Sequence, residues 1–320
     1  MLHLEKKNKM SEKKPRIRVT SRSFSRNSIL ANELLEFFPD SVFNMDGPWA
    51  GLPNIEEFLS DADGVILGLE KMDLPILKKL SNVQIIAKYG VGLDNLDVNA
   101  AKKLGIKVGW SGGVNKRSAS EQALGFMLGL SRNLFFTSFP LKKGEWVRGG
   151  GGFLTGKTIG IIGCGFIGMD LIYLLQPFNC KILICDILDK TDVVNTYGVQ
   201  QVSQEQLLKE SDIISLHVPF TKLTKNMVNE KFLVNMKTTA YLINNSRGQV
   251  VNQQALGLAL KNNIISGAAL DVFEPEPPVD LSFLALPNLM VTPHIGGSAE
   301  EAILAMGRSA IKHLKEHFYG

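Results

Sequence analysis

The chain has 320 residues, 45% hydrophobic and 21% charged, with a net charge of +4 and three cysteines. That length exceeds one typical domain and suits two, each able to bury a core of its own. No apolar run reaches the roughly 18 to 20 residues a membrane span needs, so no membrane partner is expected.

The positive charge is local. Before residue 27 there are nine Lys and Arg against Glu5 and Glu12, more than the whole excess, so the remainder is net negative. A flexible basic tail over residues 1–14 is expected rather than a basic folded face, and no nucleic-acid partner. The opening MLHLEKKNKMSEKKPRIR has no apolar stretch like that of a signal peptide, which makes the cytoplasm the expected compartment. Cys180 and Cys185, five apart on one predicted strand, point to opposite faces roughly 16 Å apart and cannot pair. They and Cys164 are expected as buried small apolar side chains in a reducing compartment. His313 and His317 have a metal-compatible spacing, but near a chain end a solvated role is expected, and no metal site.

In chain order, strands are predicted near 16–20, 64–67, 84–88 and 106–108, with helices near 28–38, 74–80 and 97–104 between them. Short apolar strands alternating with helical patterns argue for a parallel, doubly wound sheet. Asn115–Asn133 reads as one long helix, followed by GEWVRGGGG over 144–152, which breaks regular structure. A second βα series begins at Thr158, with strands near 181–185, 212–216, 239–243, 265–269 and 288–291. Its helices are predicted at 169–176, 204–209, 230–235 and 253–261, and a terminal helix at 299–318 closes the chain.

The most specific feature heads that second series. Thr158–Gly168 reads TIGIIGCGFIG, a β-branched run ending in Gly163-x-Gly165-x-x-Gly168 and leading into a helix. One glycine makes the tight turn, the second lets backbone approach a pyrophosphate, and the third lets helix pack on strand. The helix N-terminus then offers free N–H groups and a positive dipole end to the anion. The next strand ends at Asp186, eighteen residues beyond Gly168, where a carboxylate would hold the adenosine ribose hydroxyls. NAD is therefore the expected cofactor, ahead of NADP, because a 2′-phosphate beside Asp186 would meet a like charge that only Lys190 could soften.

Four further segments fall at the ends of predicted strands: KYGVGLDN (88–95), NNSRG (244–248), DVFEPEP (271–277) and TPHIGG (292–297). Their residue types suit hydride chemistry on a 2-oxo acid. Arg247 is a planar, permanently charged fork for carboxylate and carbonyl together. His294 is the natural acid/base, and Glu276 an orienting partner that favours its protonated form. His217, in LHVP after another strand, is the rival base.

With these motifs in this order, the chain resembles the D-isomer-specific 2-hydroxyacid dehydrogenases, and among them phosphoglycerate dehydrogenase catalytic regions. The resemblance implies two doubly wound parallel-sheet lobes, α/β in class, with a cleft between them. A flavodoxin-like substrate lobe would comprise residues 15–113 and 298–320, and a Rossmann NAD lobe residues 114–297. It places Arg247, Glu276 and His294 in the three catalytic roles. It assigns the cofactor to Gly163, Gly165, Phe166, Ile167, Gly168, Asp186, His217, Pro219, Asn245, Ser246, Asp271 and Gly296. The substrate falls to Lys88, Tyr89, Gly90, Val91 and Gly92, whose backbone N–H groups would nest a carboxylate. It further implies a homodimer through the nucleotide lobe, with the part played by the 144–152 glycine arm left open.

The substrate is expected to be a small 2-hydroxy or 2-oxo acid shaped by Ser23, Phe24, 67–71, Lys88 and groups near His294, and the sequence names no single one. Where relatives carry a phosphate-contacting Arg, this chain reads Leu67-Gly68-Leu69-Glu70, so poor activity on 3-phosphoglycerate is expected. The chain stops at Gly320, which suggests no serine-sensing regulatory domain. The alternative on the same scaffold is a dinucleotide-sensing corepressor without enzymatic activity.

Overall fold

The computed structural model describes residues 14–46 and 55–320, so the predicted basic tail lies almost wholly outside the described residues. The chain divides into two compact units, Met1–Val114 with Ile303–Gly320, and Asn115–Ala302.

In the first unit, β1 (Ile17–Val19), β2 (Val42–Phe43), β3 (Gly64–Leu67), β4 (Ile85–Lys88) and β5 (Lys107–Gly109) form one sheet in the order β2-β1-β3-β4-β5. Every pairing is parallel. Both faces are covered, as all-parallel sheets require. Ile17, Val19, Ile66 and Ile85 point into one core with Leu30, Leu34 and Leu314, while Val65, Leu67 and Ile86 point into the other with Leu77 and Ala101. Asn27 and Asp97 start the flanking helices by accepting the Leu30 and Ala100 N–H groups.

The second unit holds β6 (Thr158–Ile162), β7 (Lys181–Cys185), β8 (Gln200–Gln201), β9 (Ile213–Leu216), β10 (Tyr241–Asn244), β11 (Gly267–Leu270) and β12 (Leu289–Val291). Their order is β12-β11-β10-β9-β6-β7-β8, again all parallel. The chain starts at β6, winds out through β7 and β8, then returns to β9 on the other side of β6. That reversal is where open α/β sheets bind ligands, beyond the carboxyl ends of the strands. Ile162 pairs with both Cys185 and Leu216, so the segments after β6, β7 and β9 leave the sheet side by side.

Several local expectations change. The long helix stops at Ser131, because Asn133 turns left-handed (φ 52°), and a second helix, Leu134–Lys142, follows. The helix after the glycine turn begins at Phe166 instead of Met169. A short helix Thr191–Tyr197 and strand β8 had no counterpart in the prediction. Cys164 is buried, but Cys180 and Cys185 are only partly so, and all three are free thiols. Among the described residues no helix is long and apolar enough to cross a membrane, and no side-chain cluster could hold a metal.

Candidate functional site

The glycine turn is built by exclusion. Gly163 sits at φ +92°, and a Cβ there would lie 2.6 Å from the His217 carbonyl oxygen. A Cβ on Gly168 would strike the Gly163 carbonyl oxygen, so the helix packs against the turn only without one. Gly165 is different: its Cβ position meets nothing within 4 Å. It caps the helix Phe166–Leu175 with extended backbone and no side-chain cap, while Phe166 is exposed and Ile167 half-buried. Open backbone over an uncapped helix N-terminus is what a pyrophosphate requires.

Asp186 follows β7 directly. One carboxylate oxygen accepts the Cys164 N–H at 2.7 Å and the other the Leu188 N–H at 2.9 Å. Each oxygen keeps a further lone pair for a ribose hydroxyl, so the turn, helix and carboxylate together fit a dinucleotide. Cys164 is no nucleophile in this setting, since burial pushes its thiol pKa up.

Glu276 and His294 lie beyond the other half of the same sheet. His294 follows β12 with φ +53°, and its N–H donates to the Asp271 carbonyl at 2.8 Å. Its Nδ1 lies 2.7 Å from Glu276 Oε2, and Glu276 Oε1 accepts the Phe273 N–H at 2.9 Å. A carboxylate against Nδ1 keeps the proton on that nitrogen and leaves Nε2 for chemistry. Both side chains are substantially exposed, His294 by 46% and Glu276 by 36%.

The unusual backbone at His294 is held by Asp271. That buried carboxylate accepts from the Ile295 N–H (2.8 Å), the Thr292 hydroxyl (2.6 Å), Gln122 Nε2 (2.9 Å) and the Gly296 N–H (2.7 Å). The Gly296 carbonyl in turn accepts the Ser118 hydroxyl at 2.7 Å. Sequence reasoning missed Gln122 and Thr292. Gln122 gives no local signal, since it reaches Asp271 from 149 residues earlier.

Arg247 follows β10, with extended backbone and a guanidinium nitrogen 2.6 Å from the Ser246 carbonyl. A Cβ on Gly248 would run into the Phe273 backbone, so the Arg247 turn packs against the segment that leads to Glu276. Asn245 Nδ2 donates to the Ala119 carbonyl, and the Ser246 hydroxyl to Asn244 Oδ1 at 2.8 Å. Both side chains are thus engaged inside the protein. Pro219 is exposed, and its carbonyl accepts the Thr224 hydroxyl at 2.7 Å.

His217 is placed unlike a working base. Its Nε2 lies 2.9 Å from Ser215 Oγ, its Nδ1 is buried without a hydrogen-bond partner, and burial pushes its pKa down to about 4.

In the first unit, Lys88 is buried, with Nζ donating to the Gly68 carbonyl and, at 2.8 Å, to Asn95 Oδ1. Tyr89 is buried edge-on against Phe24, its hydroxyl 3.2 Å from Ser23 Oγ. Gly90 takes φ +133°, and the half-buried Val91 and Gly92 follow, the Val91 carbonyl accepting the Trp110 indole N–H at 3.0 Å. At the end of β3, Glu70 Oε2 accepts the Thr20 hydroxyl at 2.5 Å and the Gly68 N–H at 3.1 Å. This carboxylate is fixed in place, beside a Leu69 that is 88% exposed.

The family model of the D-isomer specific 2-hydroxyacid dehydrogenase NAD binding domain matches residues 124–296. A glyoxylate reductase of Thermococcus litoralis is 39% identical over 78% of this chain and 78% of its own length. A hydroxypyruvate reductase of Thermotoga maritima is 37% identical, covering 78% of this chain and 82% of that one. A D-3-phosphoglycerate dehydrogenase of Methanocaldococcus jannaschii is also 37% identical, over 82% of this chain but 51% of that longer protein. In structure, the chain matches an NADPH-dependent glyoxylate/hydroxypyruvate reductase of Sinorhizobium meliloti, solved with NADP and malonate. That match has a TM-score of 0.82 and 29% identity, and covers 96% of this chain and 94% of the other.

Proposed function

The chain belongs to the D-isomer specific 2-hydroxyacid dehydrogenases, NAD-dependent oxidoreductases of small 2-hydroxy and 2-oxo acids, and we propose that it reduces an unphosphorylated 2-oxo acid of glyoxylate or hydroxypyruvate size. The observation that carries this reading is the Glu276–His294 pair, an imidazole held by a carboxylate on a loop that other bonds fix.

The Gly163 turn and Asp186 would hold the nicotinamide cofactor, which would supply the hydride. The protein supplies the rest. His294 Nε2 gives its proton to the substrate oxygen as that oxygen gains charge, and takes it back in oxidation. Glu276 holds Nδ1–H, fixes the ring plane and stabilises the imidazolium. Arg247 grips carboxylate and carbonyl oxygen with its fork, one end anchored on the Ser246 carbonyl. The reading assigns the Gly90–Gly92 backbone to the substrate carboxylate. Asp271, Ser246 and Gly296, whose polar groups are bonded within the protein, have a supporting part in shaping the site, while Asn245 is bonded through Nδ2 and keeps a buried Oδ1 without a partner.

The choice of an unphosphorylated acid rests on Glu70. Phosphate calls for converging cations, and the end of β3 instead presents a carboxylate pinned by Thr20 and Gly68. The reductase names of two relatives at 37–39% identity favour the same class.

The division into a substrate lobe (15–113 and 298–320) and a nucleotide lobe (114–297) belongs to the same proposal, and the two compact units support it. A homodimer through the nucleotide lobe is proposed on the helix Leu134–Lys142, which buries none of its nine residues. Phe139 on that helix is 59% exposed, and Trp146 and Phe153 beyond it are each 77% exposed. Light scattering of the purified protein reads the mass directly.

The test of activity is NADH consumption with glyoxylate, hydroxypyruvate and 3-phosphohydroxypyruvate as alternative substrates. The first two should be reduced and the third poorly. A fastest rate on the phosphorylated acid would overturn the substrate assignment.

A further inference from the structure

Asp186 normally excludes a 2′-phosphorylated dinucleotide, but here it does not act alone. Lys190 Nζ lies 3.7 Å from Asp186 Oδ2, and both side chains are largely buried, at 16% and 11% exposure. At that exposure the ammonium lies against the Asp186 loop instead of extending into solvent.

The loop that carries it is held from below. The Lys190 N–H donates to Gln201 Oε1 at 2.8 Å, and Gln201 Nε2 donates to the Leu188 carbonyl at 2.9 Å. Strand β8, which contributes Gln201, thus sets the position of the lysine stem. Asp186 already accepts two backbone N–H groups, from Cys164 and Leu188. An ion pair as long as 3.7 Å leaves the three ammonium donors little used.

Resting on the dinucleotide reading above, we propose that Lys190 is a determinant of cofactor choice, pairing with a 2′-phosphate so that this enzyme accepts NADP(H) beside NAD(H). Ribose hydroxyls donate to the Asp186 carboxylate. A 2′-phosphate cannot donate and would be repelled there, but the neighbouring ammonium neutralises that carboxylate and supplies charge-assisted donors. NAD(H) stays preferred because Asp186 remains, and the preference is narrow because Lys190 faces it.

The test compares 5′-AMP with 2′,5′-ADP, which differ only in the 2′-phosphate, by titration calorimetry on the full protein. Wild type should bind both. Lys190→Met should weaken 2′,5′-ADP by about tenfold, the worth of one charge-assisted contact, and 5′-AMP by no more than about twofold. Lys190→Arg should restore the 2′-phosphate affinity, a rescue that a merely structural stem would not need. Melting curves of each variant identify any loss of fold. Parallel weakening of both nucleotides, or wild type that rejects 2′,5′-ADP while binding 5′-AMP, overturns the inference and leaves the NAD reading standing. Failure to bind either nucleotide would remove the dinucleotide reading and this inference with it.

Discussion

Glu276 holds His294 Nδ1 at 2.7 Å with one carboxylate oxygen while the other accepts the Phe273 N–H at 2.9 Å. The carboxylate cannot swing away without giving up a backbone bond, so it fixes the ring as well as its charge. His294→Ala should lower turnover by about 10²- to 10⁴-fold, the usual contribution of a positioned acid/base. NADH binding, read by quenching of protein fluorescence, should stay near the wild-type level, because the proposed cofactor site is the glycine turn and Asp186. Glu276→Gln should cost less than His294→Ala, since the amide keeps part of the hydrogen bonding and loses the charge. A His294→Ala enzyme retaining a tenth of wild-type turnover would move the role to another residue.

The direction of the pH dependence follows from proton bookkeeping alone. Reduction takes up a proton at the substrate oxygen, so its rate should fall with rising pH. Oxidation starts from the neutral ring and should rise over the same range. His217 cannot produce these limbs at neutral pH, since it stays uncharged down to about 4. Profiles of kcat/KM in both directions, for wild type and His217→Gln, check this. Loss of the limbs in the His217 variant would contradict it.

Arg247→Lys should cripple the enzyme despite conserving charge. A point charge cannot reproduce two parallel hydrogen bonds to carboxylate and carbonyl, and the anchor to the Ser246 carbonyl goes as well. The expected loss in kcat/KM for the oxo acid is about 10²-fold, from one bidentate charge-assisted pair. The KM for NADH should change little. An equal rise in both KM values would show that the side chain serves the fold instead.

His217 should make the protein acid-sensitive. Its folded pKa of about 4 lies below the ordinary 6.5, so between those values the unfolded chain binds the proton and the folded chain does not. Stability from the neutral, half-buried ring is therefore complete above pH 6.5 and is lost as pH falls toward about 4. The loss is on the order of 3 kcal/mol from this one group. Urea unfolding at pH 7.5 and pH 5 should show a smaller difference for His217→Gln than for wild type. The same pH slope in both proteins would count against the burial argument.

Much of the second unit was legible because its strands are short β-branched runs followed at once by chemistry-bearing residues. Lys181–Cys185 and Gln253–Lys261 fall where the pattern put them. The helix Leu134–Lys142 was not legible, since LFFTSFPLK is apolar on all sides, contains Pro140 and presents no single inward face. Thr191–Tyr197 failed for the opposite reason: only Val193 is buried, so almost no apolar periodicity exists to read. At the site, motif order named His294 and Glu276, and the structure joins them by a hydrogen bond. The bonds that hold the His294 loop were hidden, because Ser118 and Gln122 arrive from a distant helix and carry no spacing signal.

In the proposed reaction, hydride passes from the cofactor to C2 of a 2-oxo acid while His294 protonates the oxygen. A single experiment reads it: incubate the purified protein with NADH deuterated at both C4 positions and hydroxypyruvate, then determine the chirality and isotope content of the glycerate formed. Wild type should give D-glycerate with deuterium at C2, and His294→Ala about 10²-fold less or lower still. L-glycerate, glycerate without the label, or undiminished product from the His294 variant would contradict it.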